Sequence, residues 1–78
     1  MFAMQHKKIG ARIVYYRKIR GLTQEVLAER SGITPQYLSK IENGNYHNSV
    51  SLATLIKIAE QLNVTMAQLM VDIEKSED

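Results

Sequence analysis

The sequence predicts an all-α protein: five short helices packed as one bundle over residues 1–78. Three observations predict it. Apolar residues recur at spacings of three and four in successive segments, the period of a helix with one buried face. Hydroxyl residues suited to helix N-caps (Thr23, Thr34, Ser51, Thr65) precede four of those segments, and glycines close others. No stretch alternates apolar with polar residues in the way a half-buried strand requires.

The first helix is expected from about Gln5 to Arg20, stopped by Gly21, with Ile9, Ile13 and Tyr16 on its inner face. Val14, Tyr15 and Ile19 lie off that stripe; wider burial against neighbouring helices accounts for them, with a partner surface as the alternative. Thr23 then caps a second helix, with Glu25 in the first turn, where the helix dipole favours negative charge. Leu27 and Ala28 are its apolar residues, and Gly32 supplies a left-handed stop. Thr34 caps a third helix with Pro35 at its first position, where a missing N–H costs nothing. Leu38 and Ile41 turn inward, and Asn43-Gly44 ends the helix. So short a corner makes the two helices cross steeply, with Ala28 as the small residue at their approach. The polar run 43–51 reads as a loop carrying Tyr46 and His47. Ser51 caps a fourth helix through Leu62, with Leu52, Leu55, Ala59 and Leu62 on one face and Ile56 and Ile58 flanking. Thr65 and Gln68 have capping-box spacing at the start of a fifth helix bearing Met66, Leu69, Met70 and Ile73. No internal repeat or linker is expected.

Composition excludes several classes. Hydrophobic residues make up 45% of the chain, which is ordinary for a folded domain. There is no cysteine, so no disulfide or thiolate metal site is available. No apolar run is long enough to span a bilayer, and the first ten residues lack the apolar core of a signal peptide, so a cytoplasmic protein is expected. His6 and His47 have no partner at ligand spacing, so neither a metal nor another cofactor is expected. No catalytic residue is expected either, and an all-α chain this short leaves little room for a closed substrate pocket. The net charge of +2 conceals an asymmetry: residues 1–48 carry +5 and residues 49–78 carry −3. A basic half containing the paired short helices suits a polyanion.

The segment Thr23 to Asn43 resembles the helix-turn-helix of the Cro and phage-repressor (Xre-type) family. Gln24, Leu27-Ala28, Gly32, Leu38 and Ile41 carry the resemblance, in the phrases GLTQEVLAERSGI and YLSKIENG. It implies a lambda-repressor-like bundle with the motif at helices 2 and 3, binding double-stranded DNA as a transcriptional regulator, similar to the small controller proteins of restriction–modification systems. In such a motif the second helix enters the major groove while the first crosses the backbone. The residues then facing bases are Thr34, Pro35, Gln36, Ser39 and Lys40. Gln36 matches the N6 and N7 edge of adenine, and Lys40 reaches guanine or a phosphate. Pro35 replaces a glutamine found in several phage repressors, which leaves only an apolar contact there. The resemblance assigns Gln24 and Asn43 to phosphates, and Tyr37 has a hydroxyl that serves either a phosphate or packing. Arg12, Lys18 and Arg20 are looser phosphate candidates. It also implies a structural ion pair between Arg17 and Glu42, orienting the recognition helix.

Most proteins of this kind bind as dimers on half-sites one helical turn apart. A homodimer on an inverted-repeat operator is therefore expected, with Met66, Leu69, Met70 and Ile73 as the dimer contact. The alternative is an antitoxin or protein-interaction adaptor built on the same helices; the polar face from Thr34 to Lys40 argues against a pure adaptor.

Overall fold

The computed structural model describes residues 2–44 and 50–75, with side chains over 8–44 and 50–70. It contains α1 (Phe2–Ile19), α2 (Gln24–Ser31), α3 (Pro35–Glu42), α4 (Leu52–Leu62) and α5 (Met66–Lys75). The expected Tyr46–His47 loop lies outside the described residues, as do the side chains of His6 and Ile73. Helix α1 starts at Phe2 rather than Gln5, because Phe, Ala and Met ahead of Gln5 contain no residue that stops a helix.

Each later helix starts where a side chain satisfies its free N–H groups. Thr23 Oγ1 accepts from Val26 N, Thr34 Oγ1 from Tyr37 N and Ser51 Oγ from Thr54 N, each at 3.1 Å. The Thr65–Gln68 capping box closes in both directions: Thr65 N donates to Gln68 Oε1 at 2.8 Å, and Gln68 N to Thr65 Oγ1 at 3.1 Å. Gly32 ends α2 in the left-handed region at φ 73°, and Asn63 ends α4 there at φ 59°. Behind each, an apolar residue donates back five positions, Ile33 N to Ala28 O and Val64 N to Ala59 O, both at 3.0 Å.

The core joins Ile9 and Ile13 of α1, Leu27 and Ala28 of α2, Leu38 and Ile41 of α3, Leu55, Ile58, Ala59 and Leu62 of α4, and Leu69 of α5. Helix α1 lies against α3, α4 and α5, while α2 packs on α3 and α4. Ala28 is buried as its place at the corner requires. The closest backbone approach, however, is made by Gly10 of α1. A Cβ on Gly10 would stand 2.8 Å from the carbonyl carbon of Glu42 and closer still to the carbonyl oxygens of Ile41 and Glu42.

Two expectations about buried faces fail. Tyr15 and Ile19 remain 55% and 54% exposed, so neighbouring helices do not cover them, while Val14 is half-buried. On α4, Leu52 is 62% exposed and Ile58 takes the core position instead. The buried layer of α4 begins at Leu55, which leaves the first turn beyond it.

Candidate nucleic-acid interface

Helix α3 divides sharply by face. Leu38, Ile41 and Glu42 are buried, while Gln36 and Lys40 are exposed. Gln36 and Lys40 are one turn apart and project from the same side. Thr34 is exposed, and although its oxygen already accepts the Tyr37 N–H, its hydroxyl hydrogen and second lone pair remain for an outside partner. Pro35 and Ser39 are half-buried at the edge of this face. Tyr37 is half-buried and packs on the core, so packing holds its ring. Asn43, the C-cap, is exposed at the far end.

A buried charge anchors that end. Glu42 is 6% exposed although it carries a carboxylate. Arg17 donates to it twice, from Nε to Oε2 at 2.7 Å and from Nη2 to Oε1 at 3.3 Å. Arg17 Nη1 donates to Leu22 O at 3.0 Å, so the guanidinium binds the α1–α2 connection as well as α3. Gln24 Nε2 also reaches Glu42 Oε1, at 2.8 Å. One carboxylate thus gathers donors from α1 and from the first residue of α2. The composition of the sequence gives no sign of the Gln24 bond.

Two of the looser candidates are engaged elsewhere. Arg20 donates from Nε to Leu62 O at 2.8 Å and from Nη2 to Asn63 O at 3.4 Å, satisfying carbonyls at the end of α4. Arg12 donates from Nε to Gln68 O at 3.3 Å and from Nη2 to Tyr16 Oη at 3.1 Å, with its guanidinium near the rings of Tyr15 and Tyr16. Both arginines tie α1 to the C-terminal helices. Lys18 is exposed.

The expected dimer strip needs correction at Leu69. It is 1% exposed and belongs to the chain's own core, so it has no surface to give a partner. Met66 and Met70 are half-buried against that core. Gly10 was legible as a signal and missed: a glycine inside a helical pattern costs about 1 kcal/mol relative to alanine and usually has a packing reason.

The helix-turn-helix family HTH_3 matches residues 13–69, and the chain belongs to it. It is 34% identical over 70 residues to the HTH-type transcriptional regulator y4dJ of Sinorhizobium fredii, covering 90% of this chain and 88% of that protein. Among solved structures it superposes on the clp gene regulator ClgR of Corynebacterium glutamicum with a TM-score of 0.83 at 29% identity, over 92% of this chain and 74% of that one. It also superposes on the restriction–modification controller protein C.AhdI of Aeromonas hydrophila with a TM-score of 0.75 at 34% identity, over 82% and 94%. Other relatives are longer, and the chain spans 61% and 40% of two of them.

Proposed function

We propose that this protein is a sequence-specific double-stranded DNA-binding transcriptional regulator that lays α3 in the major groove of an operator. The observation that carries this is the division of α3. Its outer face offers Gln36 and Lys40 to bases, and its inner face is locked by Leu38, Ile41 and the buried Glu42–Arg17 pair. Thr34, Pro35 and Ser39 border the reading face, while Gln24 and Asn43 flank it as phosphate contacts. The relatives that are transcriptional regulators and a restriction–modification controller support the same reading. It makes the protein cytoplasmic and requires neither cofactor nor metal.

The operator is an inverted repeat occupied by a homodimer. Apolar surface remains for a second copy at the half-buried Met66 and Met70 of α5 and at the exposed Leu52 and Ile56 of α4. Selection of genomic fragments by the full chain, followed by footprinting, tests both halves of this reading. The expected result is a protected inverted repeat with half-sites one helical turn apart. Failure to enrich any fragment at moderate salt rejects it. Gln36→Ala should weaken binding to the selected site by about tenfold and to random DNA much less, since a bidentate base contact discriminates by about 1–3 kcal/mol. Equal loss on both duplexes rejects base reading by Gln36.

A further inference from the structure

We propose that Glu42 is a positioning residue for the phosphate contact at the amino end of α2: its carboxylate fixes which edge of the Gln24 side-chain amide faces the DNA. This rests on the assignment of Gln24 to the backbone made above.

The Arg17–Glu42 pair is complete without Gln24, since both carboxylate oxygens already receive guanidinium donors. Gln24 nevertheless makes the shorter of the two contacts to Oε1, 2.8 Å against 3.3 Å from Arg17 Nη2. A carboxylate can only accept, so the amide nitrogen of Gln24 must be the atom that faces it. One amide hydrogen is thereby engaged and the other is left for a second acceptor. A phosphate also only accepts, so the same NH2 group can serve two anions with its two hydrogens. Turning the amide over would aim its carbonyl oxygen at both. Arg17 keeps the arrangement tolerable, because its positive charge balances the carboxylate that stands behind the contact.

Glu42 is the last residue of α3 and Gln24 the first of α2. The carboxylate therefore links the end of the reading helix to the start of the helix that crosses the backbone. Gln24 has three side-chain torsions, and holding them before DNA arrives removes an ordering penalty from binding.

A double-mutant cycle on the full chain tests the proposal, with affinity for the selected operator duplex as one readout. The amide NH2 signal of Gln24 in free protein is the other. Gln24→Ala and Glu42→Gln should each weaken binding by about tenfold, the scale of one hydrogen bond. In the Gln24→Ala background, Glu42→Gln should cost about threefold less than it does in wild type, the remainder being the loosened anchor of α3. In free wild-type protein the two Gln24 amide protons should be widely separated in shift and slow to exchange; Glu42→Gln should collapse that difference while the backbone spectrum stays folded. If Glu42→Gln does not fold, Glu42→Asp enters the cycle, keeping the charge opposite Arg17 while drawing the oxygen back by about 1.5 Å. An undiminished effect of the Glu42 change in the Gln24→Ala background overturns the proposal. So does wild-type affinity of Gln24→Ala, which removes Gln24 from the backbone while the operator reading stands. Absence of wild-type binding to any duplex rejects the functional reading itself.

Discussion

Between α2 and α3 the chain turns through Gly32 at φ 73° and restarts on the Thr34 cap; between α4 and α5 it turns through Asn63 at φ 59° and restarts on Thr65. The correspondence continues on both sides. Ala28, Ile33 and Leu38 of the first corner match Ala59, Val64 and Leu69 of the second, in the same order and spacing. The sequence reading expects no repeat, and at the level of side-chain identity there is little. The shared grammar is structural: a left-handed stop, an apolar residue bonded back to an alanine carbonyl, a threonine cap. What differs is the face turned outward. After the first corner it presents Gln36 and Lys40; after the second, Met66, Ala67, Gln68 and Met70. A helical corner alone therefore does not make a nucleic-acid site. The proposed reading rests on the outward side chains and the buried anchor behind them.

The two corners are told apart most easily at that anchor. Arg17→Met leaves the Glu42 carboxylate buried without its cation and should lower stability by about 3 kcal/mol in urea unfolding, a large part of what so small a domain has. A loss below about 1 kcal/mol would mean the pair is not what holds α3. Gly10→Ala should follow, at about 2 kcal/mol, because the new methyl group meets the carbonyls of Ile41 and Glu42. The sign is informative, since helix propensity alone favours alanine by about 1 kcal/mol.

Smaller changes ask whether the corners are interchangeable. Gly32→Ala places a β-carbon in the left-handed region and should lower stability by about 1 kcal/mol. Gly32→Asn, which copies Asn63, should stay within about 0.5 kcal/mol of wild type in the same assay. Comparable losses for the two would show that the first corner needs glycine for a reason beyond its dihedral. The smallest effect is expected at Ser31, whose buried Oγ has no hydrogen-bond partner among the described residues. Leu62 stands at the matching place in the second corner. Ser31→Ala should raise stability by about 0.5 kcal/mol, because it removes a desolvated hydroxyl; a loss would reveal a partner for that hydroxyl.

What could be read from the sequence was what is local. The caps at Thr23, Thr34, Ser51 and Thr65 are contacts over three residues, so the residues that make them sit together in the sequence. The division of α3 followed from its period. The Arg17–Glu42 pair came through the family resemblance, as neither charge announces its burial. Which face of an apolar helix is covered depends on where its neighbours lie. That is why periodicity alone does not separate the exposed Leu52 from the buried Ile58, place Tyr15 and Ile19 outside, or mark Leu69 as core. Arg20 and Gln24 found acceptors 42 and 18 positions away, at separations no pattern of spacing encodes.

The contact at Gly10 has a consequence for how this protein can vary. Helix α1 meets the end of α3 through main-chain atoms, and the tilt of α3 is set there and by the Glu42 anchor. Neither constraint involves Gln36 or Lys40. What holds α3 is thus separate from its outer side chains. On the proposed reading, those residues can be exchanged, by selection or by design, without disturbing the posture of the helix that carries them.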